Sequence, residues 1–149
     1  MAVSTDEAIA AVRSLLDGGS FAFPLYYHGE SSVILSDVPA TFGVVVFDNM
    51  GSVLAGFGGG RGSNLYRNSA VVSVYVFSPF GYGQQDVSLQ AKPVADRLRS
   101  YRDDVVSIFN ADVKPFGPGA DFSITGLATE VSNYQCALVE AFVTFDTTG

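Results

Sequence analysis

A helical spacing of apolar residues opens the chain. It predicts a helix over residues 4–17. Ser4 and Glu7 have the spacing of a capping box at its start, and the two glycines that follow residue 17 are typical of a helix end. Because the apolar positions share one face, we expect this helix to pack against a sheet. The stripe consists of Ile9, Val12, Leu15 and Leu16.

A second helical stripe follows the middle of the chain. The stripe predicts a helix over about residues 88–101. Its expected first residue is either Asp86 or Ser88. Pro93 lacks the N–H of a helical hydrogen bond, so we expect either a kink or a later start there. The apolar positions are Ala91, Val94, Ala95, Leu98 and Tyr101.

Between and after the two helices, the apolar positions alternate with the period of β-strands. Pro24 makes the first of these segments an edge strand, whereas residues 41–47 are apolar on both faces and predict a central strand. The order of helices and strands predicts a single α+β domain over residues 1–149, with a mainly antiparallel β-sheet packed with two helices (about 4–17 and 88–101). The strand segments are 21–27, 33–35, 41–47, 52–57, 68–77, 105–109, 122–127 and 135–145.

Composition narrows the classes of function. The chain has 149 residues, of which 15% are charged, and a formal net charge of −7. Such a low charged fraction fits either a surface that is partly kept for subunit contacts or a well-filled core. Only Lys92, Arg97, Arg99 and Arg102 cluster, on a helix that also carries Asp96, so sequence-specific binding of nucleic acid is not expected. A different role in nucleic-acid handling is still compatible with this composition: an acidic surface along which DNA passes without binding.

Candidate chemistry is sparse. His28 is the only histidine and has no nucleophile motif beside it, and Cys136 lies in an apolar run typical of the core. The glycine-rich segment over 56–63 lacks the Lys-Ser or Lys-Thr of a phosphate-binding loop and precedes a strand. We therefore expect no catalytic, cofactor-binding or metal-binding residues. The acids Asp6 and Glu7 argue against a secretory signal peptide and favour synthesis inside a reducing cell.

Two surface patches are candidates for subunit contact. Arginine and tyrosine are enriched at interfaces, so the glycine-rich segment with Arg61, Tyr66 and Arg67 forms one candidate. The aromatic stretch from Phe80 to Tyr82, together with the edge strand near Pro24, forms the other.

The longest characteristic segment is RNSAVVSVYVFSPFGYGQQDVSLQAKPVADRLRSY, residues 67–101. With the opening helix, the aromatic stretch over 21–27 and the closing strands over 121–146, it resembles the tail terminator proteins of long-tailed bacteriophages and related head-to-tail joining proteins. The glycine-rich insert over 56–62 and Pro93 depart from that pattern. Its most characteristic positions are Pro79, Gly81, Gly83, Ala95, Asp96 and Leu98.

The resemblance implies a structural virion protein without enzymatic activity. It implies a homo-oligomeric ring, expected to be a hexamer, that caps the finished tail tube and joins it to the head connector. Its partners would be the tail-tube protein and head-tail connector proteins, with DNA only passing through the central channel and no membrane contact. The protein would be assembled in the bacterial host cytoplasm and reside in the virion.

Three alternatives stay open on the sequence alone. The chain could be another virion component, such as a tail-tube or neck subunit. It could be a small ligand-binding module with aromatic side chains around a pocket. It could also be an enzyme whose site has no recognisable motif.

Overall fold

One five-stranded sheet organises the part of the chain that the structure describes. The structure is a computed structural model, and it describes residues 4–27, 41–56, 65–79, 84–99, 101, 106–118 and 134–148. The helices are α1 (Thr5–Asp17) and α2 (Gln84–Arg99). The strands are β1 (Leu25–Tyr27), β2 (Phe42–Gly56), β3 (Leu65–Pro79), β4 (Ser107–Pro118) and β5 (Tyr134–Thr148).

The strand order is β1-β2-β3-β5-β4. The β1–β2 pair is parallel, while the β2–β3, β3–β5 and β4–β5 pairs are antiparallel. The predicted α+β class with a mainly antiparallel sheet is thus confirmed. The predicted edge position after Pro24 and the central position of residues 41–47 are also confirmed, since β1 lies at one edge and β2 lies between β1 and β3.

Both helices pack on one face of the sheet, which we call the inner face. Successive side chains of β3 point to alternate faces of the sheet. Val72, Val74 and Val76 point to the inner face, since all three are buried in the cluster that includes residues of both helices. Tyr75 and Phe77 point to the opposite, outer face and belong to a second buried cluster. The remaining members of that second cluster are Phe42, Val44, Cys136 and Leu138.

Helix α1 has the predicted capping box. Ser4 Oγ accepts from the Glu7 backbone N–H at 3.1 Å, and Glu7 Oε1 accepts from the Ser4 N–H at 3.4 Å. At the other end of α1 no basic residue lies in the last turn. Arg97 of α2 supplies the missing cation, since its Nε donates to the Leu15 carbonyl at 2.9 Å. This bond ties the two helices together.

Helix α2 begins earlier than its apolar stripe predicts. It starts at Gln84, well ahead of Pro93, so the alternative of a later start is wrong. The proline is tolerated because it sits on the exposed side of the helix. Its missing N–H leaves the carbonyl of Leu89, four residues earlier, without a helical donor. Leu89 is itself 60% exposed, so water can bond that carbonyl. The helix ends at Arg99, two residues before the predicted end.

Strand β2 is continuous, and the two strands predicted over 41–47 and 52–57 are one. The pairing with β3 persists through irregularities between Asn49 and Gly51 and between Leu54 and Gly56. Gly51 has φ of 152°, a value that favours glycine, and the polar residues around it conceal the continuity from a pattern of apolar positions. The predicted strands over 33–35 and 122–127 lie outside the described residues.

Edge strand β4 contains a bulge whose backbone is hydrogen-bonded by Arg99. Two residues of β4, Asn110 and Ala111, lie between the pairs that Phe109 and Asp112 make with β5, where β5 has one residue. The guanidinium of Arg99 donates twice to the Ala111 carbonyl, at 3.1 and 2.8 Å. The bulge thereby disturbs the regular hydrogen-bonding row of a long edge strand.

Asn110 adopts the left-handed conformation at this bulge, with φ of 56°. Asparagine and glycine tolerate this region, whereas a β-branched residue does not. We expect Asn110→Val to lower the free energy of unfolding by about 1 to 2 kcal/mol and Asn110→Gly to change it by less than about 0.5 kcal/mol. Urea unfolding of both variants measures this, and equal stabilities would contradict the assigned conformation.

Candidate subunit interface

The predicted interface residues are only partly within the described chain. Tyr66 and Arg67 lie at the start of β3. Arg61, Phe80 and Tyr82 lie outside the described residues, as do His28 and Arg102. The structure therefore places Tyr66 and Arg67 of the first candidate patch and, of the second, the edge strand near Pro24.

Tyr66 and Arg67 point to opposite faces of the sheet. Tyr66 is on the inner face, two positions beyond the buried Asn68, and is partly exposed. On the outer face, Arg67 Nε donates to Asp146 Oδ1 of β5 at 3.1 Å. This bond raises the pKa of Arg67, but the arginine side chain is 63% exposed, so the pair adds little stability. The bond fixes the position of the Arg67 guanidinium beside Asp146 at this end of the sheet.

Strand β3 separates the described residues of the two candidate patches. It has 15 residues, which span roughly 45 to 50 Å in an extended strand. Tyr66 and Arg67 lie at its start, and Pro79, which precedes the aromatic stretch, is its last residue. Pro24 belongs to the Pro79 end, because its carbonyl accepts from the Gly43 N–H at 2.9 Å and Gly43 is in register with Val76. The described members of the two patches, Tyr66 and Arg67 of the first and Pro24 of the second, thus lie at opposite ends of β3.

An apolar groove opens on the inner face where the sheet extends past the start of α1. Its volume is about 110 Å³, and Ile9, at its edge, is 37% exposed. Thr5 and Asp48 are its polar members. Such a volume is below the roughly 300 Å³ typical of sites for organic ligands, but it is comparable to a cavity that accepts one small apolar group. The apolar lining is Ala8, Ile9, Val12, Phe47, Ala70, Val72, Val143 and Phe145.

Leu89 forms an apolar projection at the other end of the molecule. It is the most exposed large apolar residue of the described chain, at 60%. It lies near the Pro79 end, because the next residue, Gln90, contacts Ser78 of β3 with Oε1 and Oγ 3.4 Å apart. The sequence analysis missed Leu89. The available signal was that this leucine falls off the apolar stripe of α2, where a buried role does not account for it.

The basic residues of α2 are largely used inside the fold. Arg97 bonds the end of α1, and Arg99 bonds the bulge of β4 and lies 3.4 Å from Asp96. Only Lys92 among these three is exposed without an ion pair in the described part of the chain. The described face of α2 therefore offers little positive charge for a nucleic-acid backbone.

A wide depression beside β4 is occupied by charges that already have partners. Its volume is about 580 Å³, and its cations are Arg99 and Lys114. Lys114 Nζ donates to Glu140 Oε1 at 2.9 Å, while Arg99 bonds the Ala111 carbonyl. Neither cation is left to hold an anion in this depression.

The described residues form no recognisable metal-binding cluster and no reactive thiol. Among them, no group of three or more His, Cys, Asp and Glu side chains is placed to hold a metal ion. Cys136, which was predicted to be a core residue, is fully buried on the outer face of β5. Burial raises the pKa of its thiol far above the ordinary value, so the nucleophilic thiolate does not form near neutral pH. Neither helix within the described ranges is long and apolar enough to cross a membrane.

The raised pKa of Cys136 has a measurable consequence for stability. The unfolded chain releases the thiol proton above about pH 9, while the folded chain retains it, so rising pH favours unfolding. We expect wild-type stability to fall by up to about 1.4 kcal/mol per pH unit between pH 9 and 10, relative to Cys136→Ala. Burial also raises the pKa of Tyr75, but this residue is present in both proteins, so its titration does not contribute to their difference. Parallel pH profiles for the two proteins would contradict the burial of the thiol.

Comparison with known proteins does not assign a family. A scan against models of protein families matches none, and a search of curated proteins finds no significant match. The fold is that of an α+β protein with both helices on one face of a mixed sheet.

Proposed function

We propose that this protein is a structural virion component that forms a ring at the end of a phage tail tube and joins the tube to the head connector. The observation that carries the proposal is that Tyr66 and Arg67, of the first candidate patch, lie at one end of β3, while Pro24, of the second, lies beside its other end. A closed ring requires a heterologous interface, in which two different patches on each subunit meet and the rotation closes. Six copies are expected from the resemblance to tail terminator proteins.

The charge distribution supports a channel that DNA passes through. The net charge is −7, and the arginines of α2 bond backbone carbonyls. A surface of this kind binds few phosphates at once, so DNA moving through the ring would not be retained. The bulge at Asn110 also limits direct strand pairing along β4, which favours assembly through side-chain surfaces.

Electron microscopy of purified tail tubes mixed with the protein tests the proposal. We expect the protein, labelled with gold through a terminal tag, at the end of the tube that receives the head. Tubes without added protein should fail to join heads, and tubes with it should join them. Label along the whole tube would instead indicate a tail-tube subunit, and the absence of any label would contradict a tail function.

A further inference from the structure

We propose that the interface between neighbouring subunits of the ring contains one further contact, in which Leu89 of one copy enters the groove beside Ile9 of the next copy. This inference rests on the ring proposed above and adds an apolar contact to its interface. The occupant of the groove is a second copy of this chain, because the chain itself carries both a projecting apolar side chain and an apolar recess.

The two features match in size and character. Leu89 is 60% exposed on α2, and nothing in its helical stripe requires an apolar residue there. The groove has a volume of about 110 Å³ and eight apolar lining residues, including Ile9 and Phe145. A dry cavity of about 150 Å³ accepts benzene, so a groove of this size accepts a single aliphatic side chain. Burying both surfaces removes apolar area from water on each partner.

The two features lie far apart within one subunit, so they can meet only between subunits. The groove is lined by Ala70, whereas Leu89 is next to Gln90, which contacts Ser78. Eight positions of an extended strand separate Ala70 from Ser78, a distance of roughly 26 Å. A projection and a recess at different places on one chain generate a head-to-tail contact, which closes into a ring when the rotation allows.

Charge around the two features is complementary. Lys92 lies three residues after Leu89, on the same side of α2, and has no ion pair in the described part of the chain. Asp6 lies three residues before Ile9 on α1 and is exposed. Docking would bring Lys92 toward Asp6, whereas the exposed Asp86 lies one helical turn before Leu89, on the side away from Lys92.

Substitutions separate this contact from a general loss of folding. Leu89 is mostly exposed, so Leu89→Arg should leave the unfolding midpoint unchanged while weakening assembly at least about tenfold. Phe109→Arg is the matched control, since Phe109 is 39% exposed on the outer face of β4 and should not affect assembly. Lys92→Glu should weaken assembly by about two- to fivefold, and Asp6→Lys in the same chain should restore it. Equal losses in Leu89→Arg and Phe109→Arg would overturn the assigned contact.

Disulfide trapping of the full chain tests the contact directly. Cysteines replace Ile9 and Leu89 together, while the buried Cys136 stays in place. A disulfide needs Cα atoms within about 7 Å, so these two positions cannot bridge within one subunit. The contact predicts that mild oxidation with diamide gives a ladder of covalent multimers, and that the control pair Leu89→Cys with Phe109→Cys gives none.

The outcomes distinguish this contact from the ring itself. Rings of native mass that yield the Ile9–Leu89 ladder support both proposals. Rings that form without that ladder, or with an equal ladder from the control pair, overturn the contact and leave the ring standing. A protein that stays monomeric both alone and with tail tubes overturns the ring, and the contact with it.

Discussion

Replacing Phe77 with alanine is expected to lower the free energy of unfolding by about 3 to 5 kcal/mol. Phe77 is fully buried on the outer face of β3, and its ring stacks on Phe42 with centroids 5.1 Å apart. Removing the ring leaves a cavity that the neighbouring strands can only partly close, because β2 and β5 are held in register on both sides. Urea unfolding of the two proteins measures the difference.

Phe109→Ala is the matched control for this prediction. Phe109 is also a sheet phenylalanine stacked on another, Phe142, with centroids 6.0 Å apart. It is 39% exposed at the edge strand, however, so its loss should cost less than about 2 kcal/mol. If Phe77→Ala costs no more than Phe109→Ala, the outer face of the sheet is not the second core that the structure describes.

Enlarging Gly43 is expected to displace the edge strand β1. A Cβ at this position would lie 2.6 Å from Leu25 Cδ2 and 3.4 Å from Phe23 Cε2, because Leu25 fills the space above the glycine. We expect Gly43→Val to lower the free energy of unfolding by about 1 to 3 kcal/mol. The cost is limited since a leucine side chain can shift more easily than backbone can.

A double-mutant cycle isolates that contact. Leu25→Ala should remove the obstacle, so Gly43→Val in that background should cost clearly less than in the wild type, with a coupling of about 0.5 to 2 kcal/mol. Denaturant midpoints of the four proteins give the coupling. Strict additivity would mean that β1 does not pack over Gly43 as described.

The alternation of apolar residues along the strands predicted which side chains lie on each face of the sheet. It could do so because both faces carry a buried cluster. In β5, Ala137, Val139 and Ala141 point to the helices, as the alternation predicts. In the same strand, Cys136 and Leu138 join the outer cluster. Helix α1 was equally predictable, because its capping box and apolar stripe are local features that tertiary contacts reinforce.

Other features depend on contacts that no local pattern encodes. Long-range packing brings the guanidiniums of Arg97 and Arg99 to the carbonyls of Leu15 and Ala111, which lie far from them in sequence or on another element. The continuity of β2 was missed because the residues around Gly51 are polar and irregularly paired. The groove was not predictable either, since it arises where the sheet extends past α1.

The candidate interface was predictable only in outline. Tyr66 and Arg67 could be named from residue type, and their place at one end of a long strand follows from the length of β3. Whether two patches lie on the same or on opposite ends of a molecule depends on the topology. The pairing of Gly43 with Val76 places Pro24 at the Pro79 end of β3. Such a pairing between strands cannot be read from a sequence pattern.

The mass of the assembly tests the central claim most directly. Native mass spectrometry and sedimentation of the full chain, alone and after docking on tail tubes, would measure how many copies associate. A single closed species with the mass of six subunits of 15.7 kDa, visible as a ring with a central channel by electron microscopy, is the predicted result. A strict monomer that never docks on a tube, at any concentration tested, would contradict both the ring and the tail terminator function.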